Sequence, residues 1–155
     1  MRKFTPDYRY YEMEDLWEGD LVAIDFGMPV LRSPEEGNEF LRTEGAWLAK
    51  KFPGAFDPYG RQSVFVVDAK KGRRGFGGIF TGTTIELDFK RFKNRFPAHA
   101  FLHEVAHIAT NFDESGTRHG PAFMRAMGTL VLKFLGRVPY NLYMARVRAY
   151  RPRES

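Results

Sequence analysis

The stretch that most restricts how this chain can fold is His103-Glu104-Val105-Ala106-His107, with His119-Gly120-Pro121 following it. On an α-helix, residues four apart stand on one face, one turn above the other, so both imidazoles can grip a single ion. Glu104 is offset around the helix from His103, where its carboxylate can reach water beside such an ion without ligating it. For a third ligand to join, the chain must leave this helix and turn back. Asn111 to Thr117 is dense in turn formers, and Pro121 is suited to the first position of a new helix. His119, 12 residues after His107, lies between the two, and Gly120 permits a close approach.

The chain contains no Cys, so a metal must take nitrogen or oxygen ligands. His103, His107 and His119 suit one zinc ion per chain, and three protein ligands leave the fourth position open, as catalytic rather than structural zinc sites do. Zinc draws the pKa of bound water toward about 7, so Glu104 can serve as general base and then as acid to a leaving group. Asp113 or Glu114 could replace His119 as third ligand, although acids in loops commonly serve turns. His99 is excluded as a co-ligand: its Cα lies about 12 Å along a straight helix from that of His107, at about 1.5 Å per residue. It remains a candidate for lining the cleft. Stabilising a tetrahedral intermediate calls for a further donor, for which Arg118, Tyr140, Tyr143 and His99 are candidates that spacing does not separate.

The remaining chain reads as one α+β domain over residues 1–155. Its 15 Phe, 7 Tyr and 2 Trp supply a large apolar area for a core without disulfides. Residues 1–32 form a lead-in with one strand-like piece, Leu21 to Phe26. Ser33-Pro34-Glu35-Glu36 is a helix start, and the apolar spacing carries that helix to Lys51. Three strands follow, Ser63 to Asp68, Phe76 to Phe80 and Thr83 to Phe89, which suggest an antiparallel meander. Ile85 and Leu87 alternate with Thr84, Glu86 and Asp88, as on a strand with one buried face. Helices are expected from Pro97 to about Asn111, from Pro121 to Gly136 and from about Asn141 to Tyr150, with a basic tail over residues 146–155.

The pentad, then a loop, then His119-Gly120-Pro121-Ala122-Phe123 resembles the SprT-like zincin metallopeptidases, over roughly residues 63–136. The resemblance implies a zincin-like fold, a small antiparallel or mixed sheet packed against an active-site helix and further helices. It also implies a zinc held by three His, a catalytic Glu and a protein or peptide substrate. Zincins pair an edge strand with extended substrate, which implies a substrate-binding role for Thr84, Ile85 and Glu86. Strand addition is a physically sensible way to hold a peptide, although an ordinary sheet strand reads the same. The Cys-rich ribbon that follows the protease domain in many relatives has no counterpart here.

Residues 1–69 carry 8 basic and 13 acidic side chains, and residues 70–155 carry 16 and 6. The basic surplus, at Lys70, Lys71, Arg73 and Arg74 and at Arg146, Arg148, Arg151 and Arg153, suits either a solvated face or non-specific, salt-sensitive contact with nucleic acid. A zinc-containing binding module without turnover, docking on nucleic acid through the basic half, is therefore the competing expectation. A structural site, however, has no need of Glu104. The absence of a secretory pattern and of a bilayer-length apolar run places the protein away from membranes, in the cytoplasm by default.

Overall fold

The computed structural model describes residues 8–69, 78–81, 84–110 and 119–150. Among the described residues it is an α+β structure of six helices and two small sheets. Contacts between Cα atoms group the chain into two compact units, residues 28–111 and residues 1–27 with 112–155.

In the unit formed by residues 28–111, helix α2 (Pro34–Thr43) begins as its sequence dictates. Ser33 Oγ accepts the Glu36 N–H, Pro34 opens the helix, and Glu35 and Glu36 occupy the first turn. The single helix expected to reach Lys51 is instead broken at Glu44, after which α3 (Gly45–Lys51) continues. The cause is tertiary. At Gly45 the chain lies so close to Gly60 that a Cβ would stand 2.5 Å from the Gly60 carbonyl oxygen. Apolar spacing within the helix carries no sign of that approach.

The larger sheet has the order β2 (Phe65–Asp68), β4 (Thr84–Leu87), β3 (Gly78–Thr81). It is mixed: β2 runs parallel to β4 with Val66 opposite Ile85, and β3 is antiparallel to β4 with Phe80 opposite Ile85. The expected meander is therefore corrected, since β4 and not β3 lies beside β2. A parallel neighbour requires a crossover, and here that crossover carries β3 itself. The one-sided alternation expected of β4 also fails, because Ile85, Glu86 and Leu87 are all buried, as befits a central strand.

On its side away from β4, β2 is met by a side chain. Asn38 Nδ2 donates to the Val66 carbonyl at 2.9 Å, and its Oδ1 accepts the Val66 N–H at 2.7 Å. One amide thus makes the two bonds that a neighbouring strand would make. Gln62 Nε2 holds Asn38 Oδ1 at 2.9 Å and the Val64 carbonyl at 3.1 Å. α2 lies close by, with Gly37 against Val66, where a Cβ would meet the side chain at 2.9 Å.

The smaller sheet pairs β1 (Val30–Leu31) with β5 (Phe96–Pro97). Directly after it, Ala98 starts α4 (Ala98–Ala109), and its N–H bonds the Pro29 carbonyl at 2.8 Å. Phe101, Leu102, Val105, Ala106 and Ile108 bury the apolar side of α4, with Phe101 edge-on to Phe40 of α2 at 5.4 Å. β5 and the core thus fix both where α4 starts and how it is rotated.

The other unit contains α1 (Tyr8–Ala23), α5 (Pro121–Phe134) and α6 (Arg137–Ala149). The strand expected from Leu21 to Phe26 is absent: Leu21 to Ala23 close α1, and the chain then turns. Asp25 takes a left-handed conformation (φ 56°), with Asp25 N–H bonded to Val22 O and Phe26 N–H to Leu21 O. That is a Schellman stop with Asp in the position glycine usually fills. Buried Tyr10, Met13, Glu14, Trp17 and Leu21 recur every three or four residues, the helical period.

α5 is followed, after Leu135, by Gly136, whose φ of 101° favours glycine. α6 starts earlier than expected, since Pro139 sits in its first turn, where a missing N–H costs no helical bond. α1 and α6 are joined by the Trp17 indole N–H donating to the Pro139 carbonyl at 3.0 Å and by Arg146 bonding both Asp20 carboxylate oxygens at 2.7 Å. Arg146, expected to be available to a polyanion, is thus engaged with Asp20. Lys70, Lys71, Arg73, Arg74, Arg151 and Arg153 lie outside the described residues. No helix among the described residues is long and apolar enough to cross a membrane.

Candidate metal centre

His103, Glu104 and His107 are all buried on α4, the two imidazoles at 6 % exposure each and Glu104 at 9 %. The four-residue spacing brings His103 Nε2 and His107 Nε2 to 3.2 Å, with ring centroids 4.9 Å apart. Two nitrogens that each lie about 2.0–2.1 Å from a tetrahedral zinc stand roughly 3.3 Å apart, so the spacing of this pair fits the ion. Imidazole nitrogens and a nearby carboxylate, with no thiolate, are also the donor chemistry of catalytic rather than structural zinc. His99, one turn earlier on α4, is buried as well.

His119 is buried at the residue before Gly120, the N-cap of α5. Its imidazole is stacked on the Tyr10 ring, with centroids 4.5 Å apart and planes 1° from parallel. Tyr11 meets it at 5.0 Å and 69°, and Phe123, one turn into α5, at 4.8 Å and 89°. Three aromatic rings therefore surround the imidazole. His103 and His107 stand in the unit of residues 28–111 and His119 in the other, each of them buried, and the pair on α4 supplies two of the nitrogens that a metal ion would need.

Next to the His119 slot, the Tyr10 and Tyr143 hydroxyls meet at 3.0 Å. Burial pushes both phenols above their usual range, and the Glu14 carboxylate adds to the rise at each. Both hydroxyls therefore stay protonated at neutral pH. Tyr143, a candidate donor to a reacting oxygen, is instead fully buried in this hydroxyl pair. Tyr140 is half-buried against α5, beside Gly128, whose Cβ would lie 3.6 Å from its ring. Arg118, Asp113 and Glu114 lie outside the described residues.

The edge-strand role expected of Thr84, Ile85 and Glu86 is not available to them. β4 is the middle strand, with its backbone hydrogen-bonded to β2 on one side and β3 on the other, and Ile85 and Glu86 are buried. The aromatic slot around His119 escaped the sequence reading entirely, because it draws on Tyr10 and Tyr11 from the supposed lead-in. The helical recurrence of Tyr10, Met13, Glu14, Trp17 and Leu21 was the signal that could have found it. Compared with models of known families, with curated proteins and with solved structures, the chain finds no match in any of the three.

Proposed function

We propose that this protein is a zinc-dependent metallopeptidase with a zincin-like site, in which His103, His107 and His119 hold one zinc ion and Glu104 handles the proton. The observation that carries the reading is the buried pair of imidazoles on α4, His103 Nε2 and His107 Nε2 3.2 Å apart, with the buried carboxylate of Glu104 directly after the first. The resemblance of the pentad and of His119-Gly120-Pro121-Ala122-Phe123 to SprT-like peptidases supports it. When bound, zinc supplies Lewis acidity, which polarises a substrate carbonyl and acidifies water.

The chain's own residues account for the rest. Glu104 takes the proton from the attacking water at a carboxylate oxygen and delivers it to the leaving amine, so no net proton is consumed at that residue. Burial of Glu104 limits competing bulk water around its carboxylate. The substrate in this reading is a protein or peptide.

The test is metal content after exhaustive dialysis, in the wild type and in His119→Ala. About one zinc per chain in the wild type and little in the variant is the expected result. A folded wild type that neither carries zinc nor takes it up refutes the proposal. Tight stoichiometric zinc in His119→Ala removes that residue from the site.

A further inference from the structure

We infer that Tyr10 is a positioning residue for His119, so that helix α1 forms part of the candidate centre. The inference rests on the reading of His119 as a metal ligand and extends it. His119 precedes the N-cap of α5 and belongs to no helix, so its own backbone element does little to fix its ring. Orientation must come from packing. The Tyr10 face lies parallel to the imidazole at 4.5 Å, and the rings of Tyr11 and Phe123 approach at steep angles. A parallel stack sets the plane of the ring, and the two edge contacts limit its tilt.

Tyr10 is itself held. It is fully buried, its ring is perpendicular to Phe123 at 5.3 Å, and its hydroxyl meets that of Tyr143 on α6 at 3.0 Å. Tyr143 in turn packs edge-on against Trp17 at 5.1 Å, and Trp17 bonds the Pro139 carbonyl. A continuous chain of contacts thus runs from α6 through Tyr143 and Tyr10 to the His119 ring. Tyr143 thus lies two contacts from the His119 ring and acts on its placement rather than on substrate. Ligands pre-set in this way bind an ion with less ordering at the moment of binding, and partners that orient a ligand typically contribute about 10–100-fold in metal affinity.

The test compares the wild type with Tyr10→Leu, Tyr10→Phe and Tyr11→Leu by two readouts. One is zinc affinity from competition with a chelator. The other is ring-carbon relaxation of His119 without metal, which reports how freely the imidazole moves. Far-UV circular dichroism checks that each variant is folded. Tyr10→Leu should lose about 10–100-fold in zinc affinity and free the imidazole, whereas Tyr10→Phe, which keeps the ring, should retain most of both properties. A folded Tyr10→Leu with wild-type affinity and an equally rigid His119 ring overturns the inference. If Tyr10→Leu does not fold, Tyr11→Leu decides in the same direction, since Tyr11 is only half-buried. If the wild type takes up no zinc, the metal reading fails, and relaxation alone decides whether Tyr10 orients His119.

Discussion

Replacing Asn38 by alanine should both weaken the fold and open a sheet edge. The side chain makes bonds of 2.7 and 2.9 Å to the two backbone groups of Val66 and accepts a third from Gln62. Each backbone bond has a net value of about 0.5–1.5 kcal/mol, so losing the two costs about 1–3 kcal/mol. Asn38 is half-buried, and water can reach part of the vacated edge, which places the expected value in the lower half of that range. For a chain this size each kcal/mol lowers Tm by about 2–4 °C.

Urea unfolding followed by far-UV circular dichroism measures the loss. Light scattering across a concentration series measures self-association through the uncovered side of β2. Asn38→Asp separates the two halves of the amide. It keeps an acceptor for the Val66 N–H but sets a charge against the Val66 carbonyl, so at neutral pH it should lose at least as much as alanine. An alanine variant within about 0.5 kcal/mol of wild type, with unchanged association, would refute the idea that Asn38 stands in for a strand.

Glu104→Gln should keep zinc and lose about 10²–10⁴-fold in kcat on a peptide substrate, because the amide cannot take a proton; full activity would remove Glu104 from the chemistry. Gly45→Ala should destabilise by about 1–3 kcal/mol in urea unfolding, since its Cβ would stand 2.5 Å from the Gly60 carbonyl oxygen; a neutral result would mean that the α2–α3 break relaxes easily. Tyr10 and Tyr143 have folded pKa values raised by burial first and by Glu14 next, so the stability that they contribute is complete below the unfolded value of about 10 and is lost as pH rises above it. Their phenolate absorbance should emerge together with unfolding at alkaline pH, and emergence while the fold is intact would contradict the burial.

What the sequence made legible was chiefly local. Ser33 with Pro34, and Pro121 with Gly136, marked helix ends that the structure keeps, because capping and left-handed glycine are decided within a few residues. The four-residue spacing of His103 and His107 likewise has a direct geometric meaning on a helix. What stayed hidden depends on residues far apart in the chain. The break at Gly45 is set by Gly60, and the place of β4 between β2 and β3 is a matter of topology that alternation does not encode. α1 was misread for another reason. The apolar run Leu21-Val22-Ala23-Ile24 looks like a strand, but only Leu21 continues the buried stripe, while Val22 is 75 % exposed.

The unit that contains α1 is discontinuous in sequence, with residues 28–111 inserted between its parts. During synthesis this sets an order. Tyr10 and its partner Tyr143 are 133 residues apart, so at about 5–20 residues per second the partner emerges roughly 7–27 s after Tyr10. Over that interval the stripe of Tyr10, Met13, Trp17 and Leu21 has no α6 to pack on, whereas β2, β3 and β4 find one another within the inserted segment. The nascent chain therefore carries an uncovered apolar helix while its middle folds. Burial of that stripe waits for α6 to be made.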